Sequence, residues 1–466
     1  MEPRLANRTY EGRRAQHAPS LARLAGFTAS LLSGGDCRVA IDPHTGTNKY
    51  ACPPLPAPGI MCFSSCTASP ISQRGFEKAA ECYDFITGAS SPRERASRLG
   101  DYHRGIERGL LRYFGVAGLA DVILCPSGTD ALLTATVLLA SERPTEAMTA
   151  ILPAASETGT GVPLAAAGRR FDGPGAGTPI VGCAIDTVEI PLRTADGAPR
   201  SEDEVNGAFV AAAKAARGRP VIYLTHGSKT GLIAPTELPA GFDVIVDACQ
   251  ARIDPACVAA YLRRGWPVAV TGSKFFGGPA FSGAVLFPTA RMRSIAPNPD
   301  TGRERSDLDT DRFGMVLRWI AAIDTIEMFA PLGGSVAGAL RNRAQVVDLA
   351  LRSIPALAPI AGLRASGPGW ADQPSIFTFG VGNIAEPRRL LSAAELRPLY
   401  DRLARAGILL GQPVDLGSFG GLRIAIGARD LIDGSEADGL DRMFDALAEA
   451  TEATPSWRRS AATACC

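Results

Sequence analysis

The sequence contains little lysine and no apolar run of membrane-spanning length. Its 466 residues include 48 lysines and arginines, and only five of these are lysines: Lys49, Lys78, Lys214, Lys229 and Lys274. This scarcity leaves few candidates for an amine nucleophile. A transmembrane helix needs about 20 consecutive apolar residues, and the sequence has no such run. We therefore predict no membrane partner, and an amphipathic helix over residues 21–32 rather than a signal sequence.

Charge and cysteine content exclude further classes of protein. The formal net charge is only +1, so the chain has no broad basic field and nucleic acid is not expected as a partner. The 11 cysteines are scattered without the spacing of a disulfide framework, which favours a reducing, cytoplasmic location. Cys52, Cys62 and Cys66 with His44 do not have the spacing of a zinc finger, and no metal site is predicted.

Length and composition divide the chain into four predicted parts. A chain of 466 residues is longer than one core usually supports, so two domains are expected. Residues 1–100 are rich in Pro, Gly and Ser and are predicted to form an irregular N-terminal arm. Residues 101–330 are predicted to be the large domain, 331–456 a smaller C-terminal α+β domain, and 457–466 a tail.

Short apolar segments alternate with helical patterns in the large domain. This alternation is typical of a three-layer α/β/α fold, whose mostly parallel sheet is covered by helices on both faces. Predicted strands lie at 122–125, 147–153, 181–191, 221–225, 244–247, 268–271 and 283–287, with two more at 375–380 and 422–426. Predicted helices lie at 101–114, from the capping box of Ser201 and Glu204 to about 217, over 313–351 with a break at Pro331, at 397–406 and at 435–451.

The segment from Val244 to Phe287 carries the strongest chemical signal. One apolar strand reads V-I-V-D-A-C-Q-A and ends at Asp247, and a second runs into T-G-S-K-F-F-G-G-P, which contains Lys274. An amine in a largely apolar, glycine-lined pocket loses its proton readily and becomes a nucleophile. An amine for an aldehyde and an anion for a ring nitrogen are the two protein groups that pyridoxal 5′-phosphate (PLP) requires. The sequence therefore predicts a PLP enzyme.

Each of these motifs has an alternative role. Lys229 lies in a similar setting, H-G-S-K-T-G, and competes with Lys274 as the nucleophile. Asp247 could instead cap a following helix. The turn S-G-T-D, from Ser127 to Asp130, joins a strand to a helix and could bind an anion through its backbone amides. Plain helix capping selects the same residue types at such a turn.

The order of the motifs resembles that of a known family. V-D-A-C-Q followed by T-G-S-K-F-F-G-G-P resembles the signature of the fold-type I PLP enzymes, and it is most similar to class V aminotransferases and cysteine desulfurases, which carry D-x-x-Q and then S-H-K-x-x-G-P. In that family the aspartate precedes the lysine by one strand, which fits Asp247 and Lys274 and excludes Lys229. The resemblance implies an aspartate-aminotransferase-like fold, Lys274 as aldimine lysine and proton shuttle, Asp247 on the pyridinium and Gln250 near the phenolic oxygen.

Weaker matches extend the resemblance to the phosphate of the cofactor. Ser127-Gly128-Thr129-Asp130 is similar to the family's phosphate turn, which implies Ser127, Gly128 and Thr129 as cofactor-binding residues. Ser273 stands where the family usually has His. The hydroxyls of Ser273 and Thr271 are still expected to hold phosphate.

Two further segments match the family loosely. T-H-G-S-K-T-G resembles H-x-S-N-x-x-G, which implies Ser228 and His226 at the cofactor. Leu422–Ile426 resembles the late strand whose arginine binds the substrate carboxylate, which implies Arg423 in that role because a guanidinium fork fits a carboxylate. The family also implies a homodimer, with a partner loop near residues 298–303.

The sequence leaves the reaction open. Transamination of an amino acid or other small amino-bearing metabolite is the first choice. A desulfurase would need an acceptor thiol on a late loop, and no cysteine lies between Cys257 and Cys465. A C–C or C–S lyase that works without a persulfide cysteine is therefore the second choice. An inactive binding module on the same fold is the third, and the presence of both Lys274 and Asp247 argues against it.

Overall fold

Two β-sheets form the framework of the chain. The computed structural model describes residues 21–295, 310–363, 367–383, 386–432 and 437–452. Within these ranges the large sheet has eight strands and the small sheet has six. No described helix combines the length and the hydropathy that crossing a bilayer requires.

The N-terminal segment is more regular than its composition suggests. Its elements are α1 (Leu21–Leu31), β1 (Met61–Phe63), α2 (Gln73–Thr87) and α3 (Pro92–Phe114). The irregular character predicted for residues 1–100 is therefore wrong for much of the described part. The amphipathic helix predicted near the start is confirmed, since α1 buries Phe27 and Leu31. In α2 and α3 the apolar residues occupy one face among many charged residues, and bulk composition conceals such a pattern.

The large sheet contains every strand predicted between residues 101 and 330. Its strands are β2 (Ala120–Cys125), β3 (Met148–Pro153), β4 (Ile185–Ile190), β5 (Arg219–His226), β6 (Ile233–Ala234), β7 (Asp243–Ala248), β8 (Val268–Thr271) and β9 (Gly283–Pro288). Their order is β2-β9-β8-β7-β5-β3-β4, with β6 beside β5. Strands β4, β3, β5, β7 and β8 pair in parallel, whereas β9 runs antiparallel to β2 and β8. The carboxyl ends of the parallel strands therefore meet at one edge.

Helices follow most strands of this sheet. They are α4 (Gly128–Glu142), α5 (Val162–Ala166), α6 (Glu202–Ala215), α7 (Pro255–Arg263) and α8 (Thr289–Met292). The predicted capping box of Ser201 and Glu204 starts α6. Ile151, Ile222 and Val246 in the strands have no exposed surface, as expected for a sheet covered on both faces. The predicted three-layer α/β/α class, with a mostly parallel sheet, is confirmed.

Two long helices connect the sheets. The helices α9 (Thr310–Phe329) and α10 (Ser335–Ser353) are separated at Pro331-Leu332-Gly333-Gly334, where the sequence predicts a break. Gly333 has a φ of +52°, a left-handed conformation that favours glycine. The helices α1, α2 and α3 pack against α9, which joins the N-terminal segment to the rest of the core.

The small sheet confirms the predicted C-terminal α+β region. Its elements, with the helices around it, are β10 (Leu357–Ile360), β11 (Ile376–Asn383), β12 (Glu386–Leu390), α11 (Ala393–Arg405), β13 (Ile408–Asp415), β14 (Gly420–Ala425), α12 (Ala428–Ile432) and α13 (Ala437–Glu452). The strand order is β1-β13-β14-β11-β10, with β12 beside β11. β1 pairs in parallel with β13 and places Met61 opposite Ile408. The N-terminal segment therefore contributes a strand to the small sheet, and the domain boundaries stay predictions.

Arg252 links the two sheets to the N-terminal segment. This buried guanidinium donates to Ser65 Oγ at 2.8 Å, to Ser375 Oγ at 2.9 Å and to the Ile426 carbonyl oxygen at 3.1 Å. Ser65 follows β1, Ser375 precedes β11 and Ile426 follows β14. The network fixes the small sheet and the N-terminal segment against the loop after β7.

Candidate active site

A cavity of about 720 Å³ lies at the carboxyl edge of the large sheet. The loops after β2, β3, β5, β7 and β8 all reach it, as ligand sites of open α/β sheets do. Eight of the residues predicted for the site line it: Ser127, Gly128, Thr129, Asp247, Thr271, Ser273, Lys274 and Arg423. The structure thus brings together side chains that are far apart in the sequence.

Asp247 and Lys274 reach this cavity from neighbouring strands. Asp247 on β7 pairs with Ala269 of β8, and Lys274 follows the end of β8 after a Gly-Ser pair. Asp247 is 8% exposed, and its Oδ1 accepts a hydrogen bond from the Cys249 backbone amide at 3.1 Å. Within the described residues, Lys274 Nζ makes no hydrogen bond. The lysine therefore presents an uncommitted amine to the cavity that Asp247 also lines.

The thiol of Cys249 lies close enough to both groups to respond to their charges. Burial is the largest cause that raises its pKa well above the usual value, and the charge of Asp247 adds to the rise. The charge of Lys274 acts in the opposite direction. The Cys249 thiol is therefore protonated at neutral pH and forms part of the apolar floor.

The turn at the start of α4 forms one wall of the cavity. Ser127 Oγ donates to Asp130 Oδ2 at 2.6 Å and accepts from the Asp130 amide at 3.2 Å, which closes a capping box. The Ser127 hydroxyl is thus committed to the cap. Gly128 and Thr129 are the first residues of the helix, where the backbone amides have no carbonyl partner in a preceding turn. These amides and the helix dipole make the turn suitable for an anion.

Gly128 is the position of this turn at which no side chain fits. A Cβ there would lie 2.7 Å from Cys249 Sγ and 3.0 Å from Thr271 Cγ2. We expect Gly128→Ala to lower the free energy of unfolding by about 1–3 kcal/mol and to weaken anion binding at the turn. Urea unfolding measures the first effect, and protection of the folded protein by inorganic phosphate measures the second.

A matched control for this prediction is Gly105→Ala in α3, where a Cβ would have no neighbour within 4 Å. Because alanine favours a helix over glycine, Gly105→Ala should raise stability by about 0.5–1 kcal/mol. Equal stability of Gly128→Ala and the wild-type protein would contradict the close packing at the turn.

The two hydroxyl residues that closely precede Lys274 in the sequence, Thr271 and Ser273, differ in their hydrogen bonds. Thr271 Oγ1 donates to the Cys249 carbonyl oxygen at 2.7 Å. Ser273 is 7% exposed and lines the cavity, and its hydroxyl makes no hydrogen bond within the described residues. Ser273 is therefore available to a ligand, whereas Thr271 chiefly fixes the loop after β7.

Arg423 enters the cavity from β14 of the small sheet. Its Nη1 donates to the Lys229 carbonyl oxygen at 3.1 Å, and its Nη2 donates to Thr67 Oγ1 at 3.0 Å and to the Gln412 carbonyl oxygen at 2.9 Å. The residue is 3% exposed, and its buried Nε has no hydrogen-bond partner. Because all of these acceptors are neutral, the guanidinium charge is left for a ligand to balance.

Three predicted cofactor residues do not line this cavity, because other protein groups engage them. Gln250 donates to the Cys66 carbonyl oxygen at 3.1 Å, and its Oε1 accepts from Arg252 at 3.0 Å. Ser228 Oγ donates to Glu157 Oε2 at 2.6 Å. His226 Nδ1 lies 3.1 Å from the Tyr261 hydroxyl, and burial lowers the pKa of His226 to about 4. The described positions therefore do not bring these three side chains to the ligand space.

Lys229, set aside as the nucleophile, nevertheless lines the same cavity. It follows the end of β5, and its Nζ donates to the Ala155 carbonyl oxygen at 2.8 Å. Burial, followed by the charge of Arg423, lowers the pKa of Lys229 to about 8. The sequence could have indicated this position, because Lys229 follows a predicted parallel strand, and the carboxyl ends of neighbouring parallel strands lie at the same edge of the sheet.

The N-terminal segment supplies cavity residues that the motifs do not identify. Arg38, Tyr50 and Cys66 all line the cavity. The run I-D-P-H-T-G-T-N-K-Y contains Tyr50, whose carbonyl oxygen accepts from the Tyr400 hydroxyl at 3.2 Å. No local pattern marks Cys66, because it reaches the site through the pairing of β1 with β13. No group of three or more His, Cys, Asp or Glu among the described residues could hold a metal ion.

The comparisons with known proteins give structural matches only. No protein-family model and no curated protein matches the sequence. The chain is similar to a cystine C–S lyase, C-DES, in complex with its reaction product cysteine persulfide, with a TM-score of 0.56 and 16% identity over 83% of this chain and 97% of that one. It is also similar to a NifS-like protein, with a TM-score of 0.55 and 13% identity over 84% of this chain and 98% of that one. A third similar structure is that of the cysteine desulfurase CsdA from Escherichia coli, with a TM-score of 0.52 and 15% identity over 85% of this chain and 95% of that one.

Proposed function

We propose that this chain, which has the fold of the class V, fold-type I PLP-dependent enzymes, binds PLP in the cavity at the carboxyl edge of the large sheet and acts on a small amino-bearing substrate. One observation carries the proposal: the uncommitted amine of Lys274 and the buried carboxylate of Asp247 open into one cavity from adjacent strands. The structural likeness supports the proposal at the level of fold.

The residues present fit this cofactor. Lys274 offers the amine that would bind it covalently, and Asp247 offers a buried anion for its ring nitrogen. The backbone amides at Gly128 and Thr129, with the Ser273 hydroxyl, form a cradle for a phosphate at a helix N-terminus. The lining contains five cationic side chains and two carboxylates among the described residues, so the cavity favours an anionic ligand. When bound, PLP supplies a cationic ring that withdraws electrons from the substrate Cα.

Protein groups then determine what happens at that Cα. Arg423 would hold the substrate carboxylate, because it lines the cavity and its guanidinium donates, within the described residues, only to neutral acceptors. Fixing the carboxylate orients the bonds at Cα, and orientation selects the bond that breaks. Lys274 Nζ would remove the Cα proton and return a proton at a neighbouring atom, as a general base and acid.

Transamination is the reaction that this arrangement supports best, because Lys274 can move a proton and Arg423 can orient an α-amino acid. A C–S or C–C lyase reaction is the second candidate. The similarity to the C–S lyase C-DES supports the second candidate. A homodimer is also part of the proposal. The predicted partner loop near 298–303 lies outside the described residues.

A substrate screen on the PLP-loaded protein separates these reactions. We expect single amino acids to convert the bound cofactor to its pyridoxamine form, seen as a change in absorbance, and a 2-oxo acid to reverse the change. Release of pyruvate, ammonia or sulfide without that change would establish the lyase reaction. A purified protein that binds no PLP at saturating concentration would contradict the proposed function.

A further inference from the structure

Lys229 and Arg423 place two positive charges beside each other in the cavity. The Nη1 of Arg423 donates to the Lys229 carbonyl oxygen at 3.1 Å, and both side chains line the ligand space. The charge of Arg423 is a cause, second to burial, of the lowered pKa of Lys229. Two adjacent cations repel each other, and partial burial strengthens the repulsion.

The protein itself does not neutralise this pair. Within the described residues, Lys229 Nζ donates to one carbonyl oxygen, and Arg423 binds two carbonyl oxygens and one hydroxyl. Glu157 is a buried acid whose charge raises the pKa of Lys229, but it is engaged by Arg193 at 2.6 Å. Asp415 also lines the cavity and its charge raises the pKa of Lys229, but Asp415 is exposed, so water screens its charge, and its Oδ1 accepts from the Gly417 amide at 2.9 Å. The pair therefore requires negative charge from a ligand.

The other cations of the cavity have partners or lie in solvent. Arg38 forms a salt bridge with Asp36 at 2.5 Å. Lys49 is exposed, so water screens its charge. In the proposed function Lys274 binds the cofactor and Arg423 binds the α-carboxylate. The charge of Lys229 then forms no ion pair within the described residues, where its Nζ donates to a carbonyl oxygen, and a simple amino acid offers it no second anion.

We propose that Lys229 binds a second anionic group of the substrate, so that the enzyme acts on amino acids whose side chain carries a carboxylate, phosphate or sulfonate. This inference rests on the proposed function, because it assigns the α-carboxylate to Arg423. Lys229 is thereby a specificity-determining residue. Two substrate anions balance the two cations, and the ammonium can donate to the second anion while it keeps the Ala155 carbonyl oxygen.

Binding of unreactive acids to the PLP-loaded protein tests the proposal without turnover. Titration calorimetry should show glutarate or succinate binding more tightly than butyrate. Lys229→Met and Lys229→Gln should lower the ratio of the two affinities, diacid to butyrate, by about 10- to 100-fold, since a hydrogen bond to a charged group is lost. Lys229→Arg keeps the charge and should retain most of the preference. Lys214→Met, at an exposed position of α6, should leave both affinities unchanged.

Steady-state kinetics identify the side-chain anion. Aspartate and glutamate test a carboxylate, O-phosphoserine a phosphate and cysteate a sulfonate, with asparagine, glutamine and serine as neutral counterparts. At least one anionic substrate should exceed its neutral counterpart in kcat/KM by about 10- to 100-fold, and Lys229→Met should abolish that ratio.

Two results would overturn the inference: equal wild-type affinities for butyrate and glutarate, or an equal loss of kcat/KM for neutral and anionic substrates in the Lys229 variants. The second result would place Lys229 on the α-carboxylate together with Arg423. PLP binding, read by absorbance in every variant, is measured separately. A wild-type protein that does not bind PLP would contradict the proposed function. A wild-type protein that binds PLP but does not prefer acids or substrates with a second anionic group would contradict only this inference.

Discussion

Replacing Lys274 with alanine is expected to lower kcat/KM by on the order of 10³-fold or more for every substrate that the wild-type protein uses. Three lysines line the cavity. Lys49 is exposed and Lys229 Nζ donates to a carbonyl oxygen, whereas Lys274 is half-buried and its ammonium makes no hydrogen bond within the described residues. Without it the cofactor would lose its proposed covalent link, and the substrate Cα would lose the base proposed for it. Initial rates give the kinetic loss, and the visible absorbance of the purified protein reports the lost covalent bond.

The control for this prediction uses Lys229, another lysine that lines the cavity. Lys229→Ala should keep the absorbance of a covalently bound cofactor, because Lys229 Nζ is already engaged with the Ala155 carbonyl oxygen. Added methylamine should partly restore turnover to Lys274→Ala, since a free amine can take over proton transfer. Full turnover of Lys274→Ala, with no added amine, is incompatible with the proposed site.

Asp247→Asn is expected to have the second largest effect. Removing one partner of a buried ion pair costs about 3–5 kcal/mol, which corresponds to about 100- to 4,000-fold. Asp247 is 8% exposed, and within the described residues its carboxylate accepts from the Cys249 amide and forms no ion pair. Its charge is therefore available to the ring nitrogen of the cofactor. The loss should appear in kcat and in the affinity of the apo-protein for PLP, measured by absorbance titration.

Two comparisons make the Asp247 prediction specific. Asp247→Glu keeps the negative charge and should retain more activity than Asp247→Asn. Asp36→Asn removes a carboxylate that pairs with Arg38 rather than one that faces the cofactor, and it should change PLP affinity far less. If Asp247→Asn bound PLP and turned over like the wild-type protein, the carboxylate would have only a structural role.

Local patterns predicted most of the regular structure. Apolar segments of strand length alternate with helical periodicity, and each predicted strand of the large domain is present. Ser201 and Glu204 marked the start of α6 because a capping box satisfies amides that no helix can pair internally. The break at Pro331 followed from the missing amide of proline and the freedom of Gly333.

Long-range pairing escaped prediction from the sequence. β1 joins β13 across most of the chain, with Met61 opposite Ile408, and a short strand gives no local indication of its partner. The placement of Cys66 in the cavity depends on that pairing. The composition of residues 1–100 suggested irregular structure, and tertiary contacts with α9 instead support α2 and α3.

Contacts between distant segments also determine which of the predicted side chains reach the cavity. Asp247 and Lys274 could be paired from the sequence, because adjacent parallel strands end at one edge. Gln250 and Ser228 match the family in residue type or position, yet Arg252 and Glu157 engage them. Competing hydrogen bonds of this kind arise from segments that are distant in the sequence, so a motif alone does not reveal them.

The central claim is that Lys274 is the residue that binds the cofactor covalently. The direct measurement is borohydride reduction of the PLP-loaded wild-type protein, followed by proteolysis and mass spectrometry of the lysine-containing peptides. We expect a stable pyridoxyl group on the peptide that contains Lys274 and none on the peptide that contains Lys229. A pyridoxyl group on Lys229, or a protein that carries none on either peptide, would contradict the claim.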